Sequence, residues 1–175
     1  MVINVIDPVV DYIISNKSIE KVGVIGTNAT ISSQVYEKKI TSLRNDIKVY
    51  SVATPLLASL IEEDNQQLYK TGIIESYLQN EQLQNIDSLI LGCTHYPLIE
   101  SQINNFYGQK MEIVSSTKYI GNMLKNKLTN KNLLHTTHRR LQHEFYVSDY
   151  TKNFQEKTKL FFPSSIILEE ENIFS

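Results

Sequence analysis

Short apolar runs recur along this chain, each followed by a segment whose apolar residues return at helical spacing. The runs are Val2–Ile6, Val22–Ile25, Ile47–Val52, Ser88–Leu91 and Glu112–Val114, and each predicts a strand. Asp7-Pro8 supplies an N-cap and a first helical position, and Val9, Ile13 and Ile14 continue that helix. After Gly26, the residues Ile31, Val35, Tyr36, Ile40 and Leu43 fit one helical stripe. Pro55 opens an apolar helix through Leu60, and Gln66–Leu78 predicts another with Tyr69, Ile73 and Tyr77 on one side. Pro97, Ile99, Ile103 and Phe106 suggest a helix after the fourth strand. Ser116 or Thr117 caps one that carries Ile120, Met123, Leu124 and Leu128.

Strands thus alternate with helices, and several strands are apolar throughout rather than at every second residue. That pattern belongs to an α/β fold, a parallel sheet with helices on both faces. Ligands of such sheets bind at the carboxyl ends of the strands. The loops that matter are therefore Gly26–Thr30, Thr54–Leu56 and Gly92–Pro97.

The pattern changes after Leu128. Thr129–Arg140 is polar and reads as a loop or linker. A strand at Glu144–Ser148, a helix around Phe154 and Phe161, and a strand at Ser165–Leu168 follow. This tail is too short for a domain of its own, and its apolar residues need a partner surface. Glu169–Glu171 reads as a solvated end.

Composition narrows the classes of function. A net charge of −2 leaves no basic face for nucleic acid. Lys125, Lys127 and Lys131, with Arg139 and Arg140, read as a solvated face. No apolar run approaches the roughly 20 residues of a membrane span, and the N-terminus has no signal-peptide pattern. A single cysteine excludes an internal disulfide and a multi-cysteine zinc cage, and it suits a reducing cytoplasm.

That cysteine is Cys93, within Leu89-Ile90-Leu91-Gly92-Cys93-Thr94-His95-Tyr96-Pro97. It stands at a strand-to-helix turn, where free backbone N–H groups favour a thiolate. His95 is placed to exchange a proton with it. Taken alone, a lone cysteine is as readily a buried, inert side chain. A metal site is disfavoured because no second histidine lies near; His135, His138 and His143 read as surface residues. Gly26-Thr27-Asn28-Ala29-Thr30 either holds a carboxylate or phosphate, or merely N-caps a helix through Thr27 or Thr30. Glu62 and Glu63, read locally, are solvated carboxylates at a helix end.

The chain resembles the glutamate racemases of the aspartate/glutamate racemase superfamily. The matching stretches are Ile3–Pro8, Val22–Thr27 with Ala29-Thr30, Tyr36-Glu37, Thr54–Leu57 with Leu60–Glu63, and Leu89–Pro97. Phe145–Asp149 and Phe154 match more weakly. Aspartate racemases tend to carry Glu at the position of His95.

The resemblance implies a cofactor-independent isomerase that makes D-glutamate for peptidoglycan by two-thiol proton transfer. One thiol removes the α-proton, and a second returns a proton to the other face. It implies that Cys93 is the second of the two cysteines, that His95 is its helper and that Glu62 is the acid beside His95. It also implies that Thr94 with His95 contacts substrate, and that Thr27 and Thr30 hold a substrate carboxylate. The family's first cysteine, in Cys-Asn-Thr-Ala, has no counterpart here, nor do its Asp-Ser pair and Pro-Tyr-Gly loop. Ser115-Ser116-Thr117 also stands where many members have an Asp-Ser-Ala-like sequence.

Residues 1–115 therefore resemble the second racemase domain. Residues 116–175 would complete a first domain that these residues do not contain, so the tail's strands would lack their sheet. The expected ligand is glutamate, with no metal, cofactor, nucleic acid or membrane partner. Alone, the chain is expected to be inactive as a racemase and to expose apolar surface, so that it is poorly stable or associates, as a homo-oligomer or with a separate first domain. Two other readings are a non-catalytic remnant or subunit of a split racemase, and a thiol hydrolase or transferase using Cys93 and His95.

Overall fold

Four of the apolar runs become the strands of one parallel sheet: β1 (Lys21–Gly26), β2 (Lys48–Ala53), β3 (Ser88–Leu91) and β4 (Glu112–Ser115), in the order β2-β1-β3-β4. The computed structural model describes residues 2–63, 67–135, 143–162, 164 and 166–172, and only the backbone of 67–69. Gln66, the Tyr69 side chain, His138, Arg139, Arg140 and Ser165, all named above, lie outside the described residues.

Register explains why the strands carry apolar residues at successive positions. Val24, Ile90 and Val114 stand in one row across β1, β3 and β4, and Ile25 pairs with Val52 on one side and Leu91 on the other. The first row packs into a core with Val9, Val10 and Ile13 of α1 (Asp7–Ser15) and Ile40 of α3 (Val35–Leu43). The second faces Leu57 and Ile61 of α4 (Leu57–Glu62), Ile74 and Leu78 of α5 (Gln67–Leu78), and Ile103 of α6 (Glu100–Phe106). Each face of the sheet therefore has its own covering layer, as continuous apolar strands require.

Several expectations need correction. Asp7 is the first residue of α1 rather than its cap, which is Ile6, and the helix Ser116–Asn130 is preceded by Ser115 as its cap rather than capped by Ser116 or Thr117; neither cap residue makes a side-chain capping bond. Val2–Ile6 is not a strand; it has no ladder partner, and Val2 is 91% exposed. The Asn4 side chain accepts the N–H groups of Ile6 (3.0 Å) and Asp7 (2.8 Å), which turns the chain into α1. The stripe from Ile31 to Leu43 is not one helix. It is α2 (Asn28–Ser33) and α3, parted at Gln34 in the left-handed region (φ 54°). The Ser33 hydroxyl donates to the Thr30 carbonyl (2.7 Å) and accepts the Val35 N–H (3.3 Å), local bonds that compete with a continuous helix. Finally, the segment after β3 begins as a 3-10 turn, Tyr96–Ile99, before α6.

α7 (Ser116–Asn130) runs past the polar boundary expected at Thr129. Its Tyr119 stacks on Tyr12 of α1 (4.5 Å between ring centres), so the helix belongs to the sheet unit. The two compact units are Met1–Leu134 and His135–Ser175, a division later than residue 115.

The second unit has β5 (Phe145–Val147), α8 (Lys152–Lys157), a 3-10 turn (Thr158–Leu160) and β6 (Leu168–Glu170). Its strands pair with each other in parallel. Gln155 joins α8 to the last strand: its Nε2 donates to the Ile166 carbonyl (2.6 Å) and its Oε1 accepts the Leu168 N–H (3.1 Å). Among its described residues no apolar side chain is buried; Phe154, Phe161 and Phe162 are exposed.

Candidate functional site

The strand order places a topological switch point between β1 and β3. From β1 the chain moves outward to β2 on one side, then returns to lay β3 on the other. The loops leaving the carboxyl ends of β1 and β3 diverge there, and the crevice between them is where such sheets receive ligands. These loops carry Thr27-Asn28-Ala29-Thr30 and Gly92-Cys93-Thr94-His95.

On the β1 side, Thr27 caps α2: its Oγ1 accepts the Thr30 N–H at 3.3 Å. The two hydroxyls lie 3.1 Å apart, and Thr30 Oγ1 donates to the Gly92 carbonyl at 3.3 Å. Capping and a site position thus coincide at Thr27, and Thr30 links the two loops directly.

On the β3 side, the Gly92 N–H donates to the Ile25 carbonyl at 2.8 Å and holds the loop against β1. A Cβ at Gly92 would lie 2.8 Å from that same oxygen, so only glycine allows this approach. Cys93 follows directly and is half-buried. Its Sγ lies 3.8 Å from His95 Nδ1, and His95 Nε2 lies 2.9 Å from Glu62 Oε1. Pairing with a carboxylate assigns the imidazole proton to Nε2, which leaves the Nδ1 lone pair towards the sulfur. The contact is part-buried, with the side chains of His95 and Glu62 26% and 36% exposed, and it is an ion pair only when the imidazole is protonated.

A cavity of about 470 Å³ opens between the loops. Thr27, Thr30, Ser33, Tyr36, Cys93 and Thr94 line it, with Val5, Ile6 and Val35 among its apolar wall. The structure therefore gathers Thr27, Thr30, Cys93 and Thr94 round one space. His95 and Glu62 stand outside its wall, reached through the sulfur. His135 and His143 are exposed and lie in other parts of the chain. Among the described residues, no group of three or more His, Cys, Asp or Glu is gathered as metal ligands.

Three residues of this region lie in stretches marked by sequence but were given no site role there. Tyr36, read as part of a helical stripe, is buried beside Gly92 and lines the cavity. Burial, aided by the nearby Cys93 sulfur, raises its phenol to about 12. Tyr96 and Thr54 are both fully buried, and their hydroxyls meet at 2.6 Å. No local pattern announces a bond between residues 42 positions apart.

Known proteins resemble this chain in sequence and fold. The chain is 40% identical over 128 residues to a glutamate racemase of Sulfurihydrogenibium sp., covering 71% of this chain and 48% of that protein. It is 34% identical over 140 residues to a glutamate racemase of Lactobacillus johnsonii, covering 80% and 53%. Among solved structures, a glutamate racemase isoform of Bacillus anthracis superposes with a TM-score of 0.87 at 32% identity, covering 97% of this chain and 64% of that one. The Francisella tularensis glutamate racemase, solved with D-glutamate, gives 0.85 at 31%, covering 98% and 63%. The chain spans about half the length of the curated relatives it matches. Residues 2–123 match the family model for Asp/Glu/Hydantoin racemases. This chain belongs to the Asp/Glu/hydantoin racemase family.

Proposed function

We propose that this chain supplies one thiol half-site of a glutamate racemase that provides D-glutamate for peptidoglycan. The observation that carries the reading is the line of Cys93, His95 and Glu62 ending at the cavity lined by Thr27, Thr30 and Thr94. Glutamate lies in that cavity with its Cα towards Cys93 Sγ. Thr27, Thr30 and Thr94 bond its carboxylate. His95 Nδ1 accepts the thiol proton, and Glu62 holds the resulting imidazolium. The thiolate then takes the α-proton: the Cα–H bond breaks, an S–H bond forms, and the electron pair spreads into the carboxylate. Inversion needs a second acid on the opposite face. With one cysteine in these residues, that thiol comes from a first domain outside them, which the tail unit would help to complete. The chemistry requires no cofactor.

The orienting carboxylate would equally serve a thiol hydrolase, and Glu62 fills that role geometrically. The relatives named above favour the isomerase. The deciding experiment is α-proton exchange in deuterated water, with D- and L-glutamate assayed separately, on the chain and on Cys93→Ala. The expected result is exchange of one enantiomer, lost in the variant, without inversion. Inversion by the pure chain, or exchange that survives Cys93→Ala, would overturn the half-site reading.

A further inference from the structure

The geometry points to Tyr96 and Thr54 as positioning residues that set the Glu62–His95 pair, and through it the reactivity of Cys93. This rests on the Cys93 half-site reading. Tyr96 is the neighbour of His95 but points the other way, into the core, where it is fully buried. Its hydroxyl donates to Thr54 Oγ1 at 2.6 Å, with the Thr54 carbonyl oxygen 3.1 Å away. Thr54 is itself fixed: its Oγ1 donates to the Gly26 carbonyl at 3.1 Å, and its N–H donates there at 2.8 Å. The Thr54 carbonyl accepts the Leu57 N–H at 3.1 Å, the bond that turns the chain into α4.

α4 ends at Glu62. The segment from Thr54 to Glu62 is therefore tied to the Cys93–Ile99 segment at both ends: by Tyr96 at its start and by His95 at its finish. The two ties differ in character. The His95–Glu62 contact is part-buried, with side chains 26% and 36% exposed. The Tyr96–Thr54 contact is dry, and each of its hydroxyls has a fixed partner. The buried tie fixes the direction from which α4 delivers its carboxylate to His95 Nε2. The same threonine anchors β1 at Gly26, one residue before Thr27, so one buried junction registers both walls of the cavity.

The test is a double-mutant cycle read by the alkylation rate of native Cys93 with iodoacetamide, on the full 175-residue chain. Near-ultraviolet circular dichroism checks that each variant is folded. Tyr96→Phe keeps the ring and removes the hydroxyl. In the wild-type background it should slow alkylation by about 3- to 10-fold; in a Glu62→Ala background, which removes the acceptor altogether, it should change the rate less than about twofold, because the pair it sets is already gone. Thr54→Val should slow alkylation as Tyr96→Phe does, and Thr54→Ser should restore the rate. Equal factors in the two backgrounds, including no effect in either, would overturn the proposal, since a purely structural loss acts alike in both. Because iodoacetamide is not a racemase substrate, this outcome is separate from the exchange assay. A non-additive cycle in a chain that exchanges neither enantiomer would keep the positioning role and reject the glutamate reading.

Discussion

Gly92 decides how near the thiol comes to the first strand. An added methyl would sit 2.8 Å from the Ile25 carbonyl, which is backbone and cannot swing aside. Gly92→Ala should therefore destabilise the chain by about 1–3 kcal/mol, measured by the urea midpoint at unchanged slope. Glu62 makes a different kind of contribution. Glutamine keeps the oxygen that accepts the His95 N–H, so Glu62→Gln should leave the unfolding midpoint nearly unchanged. It should slow Cys93-dependent α-proton exchange by at least about tenfold, while Glu63→Gln, exposed next door, should not. The tyrosines set an alkaline limit. Burial raises the phenols of Tyr36, Tyr96 and Tyr107 from 10.0 to about 12. Their stabilising contribution is whole below pH 10, where both folded and unfolded chains are protonated. It is lost as pH rises towards about 12, because the unfolded chain gives up these protons first. Unfolding free energy measured between pH 9 and 12 should fall steadily above 10, and Tyr96→Phe should make that fall shallower. At this scale Cys93 and His95 were legible because they lie two positions apart in a distinctive run. Glu62 required the resemblance, and the Tyr96–Thr54 junction was invisible because tertiary folding alone makes it.

The elements show which local signals survive folding. Ser88–Leu91 was legible to the residue, because an apolar run bounded by Asp87 and Gly92 has no competing structure. Val2–Ile6 has similar composition yet forms no strand, because Asn4 bonds its neighbours' N–H groups before any sheet can. The helix after β1 breaks for a related reason. Gln34 takes a left-handed conformation that costs a non-glycine residue about 1–2 kcal/mol. Its N–H still donates to the Ile31 carbonyl, and its carbonyl accepts the Lys38 N–H, so the turn is fully bonded and only the conformation is strained. Gln34→Gly should thus stabilise the chain by up to about 1 kcal/mol, whereas Gln34→Val should destabilise it by more than that. Thermal unfolding of the two variants would check both signs. Equal destabilisation by both would mean that the glutamine side chain, not its backbone, holds the turn.

At the scale of the whole molecule, the two compact units differ in what holds them. Met1–Leu134 has an apolar core on each face of its sheet, and it contains every candidate site residue. His135–Ser175 has two paired three-residue strands, a short helix and no buried apolar side chain among its described residues. Sequence pattern found β5 and the helix of this unit but placed the last strand at Ser165–Leu168 and read Glu169–Glu171 as a solvated end, whereas β6 is Leu168–Glu170. It also expected the strands to lack a sheet; β5 and β6 supply each other's partner, in the smallest sheet possible. A pair of strands with no core beneath it is marginal in water. The exposed Phe154, Phe161, Phe162 and Ile167 are the kind of apolar surface that draws a partner. Two consequences follow from this asymmetry. Amide hydrogen exchange of the 175-residue chain should be slow in β1 and β3 and near the unprotected rate in β5 and β6. Sedimentation should show association that rises with concentration, and association should weaken when Phe161 and Phe162 are changed to Ser. A sharp, concentration-independent unfolding transition of a monomer, with β5 and β6 as protected as β1, would mean that the second unit is stable without any partner. It would then lose its proposed role as the piece that joins the domain carrying the second thiol.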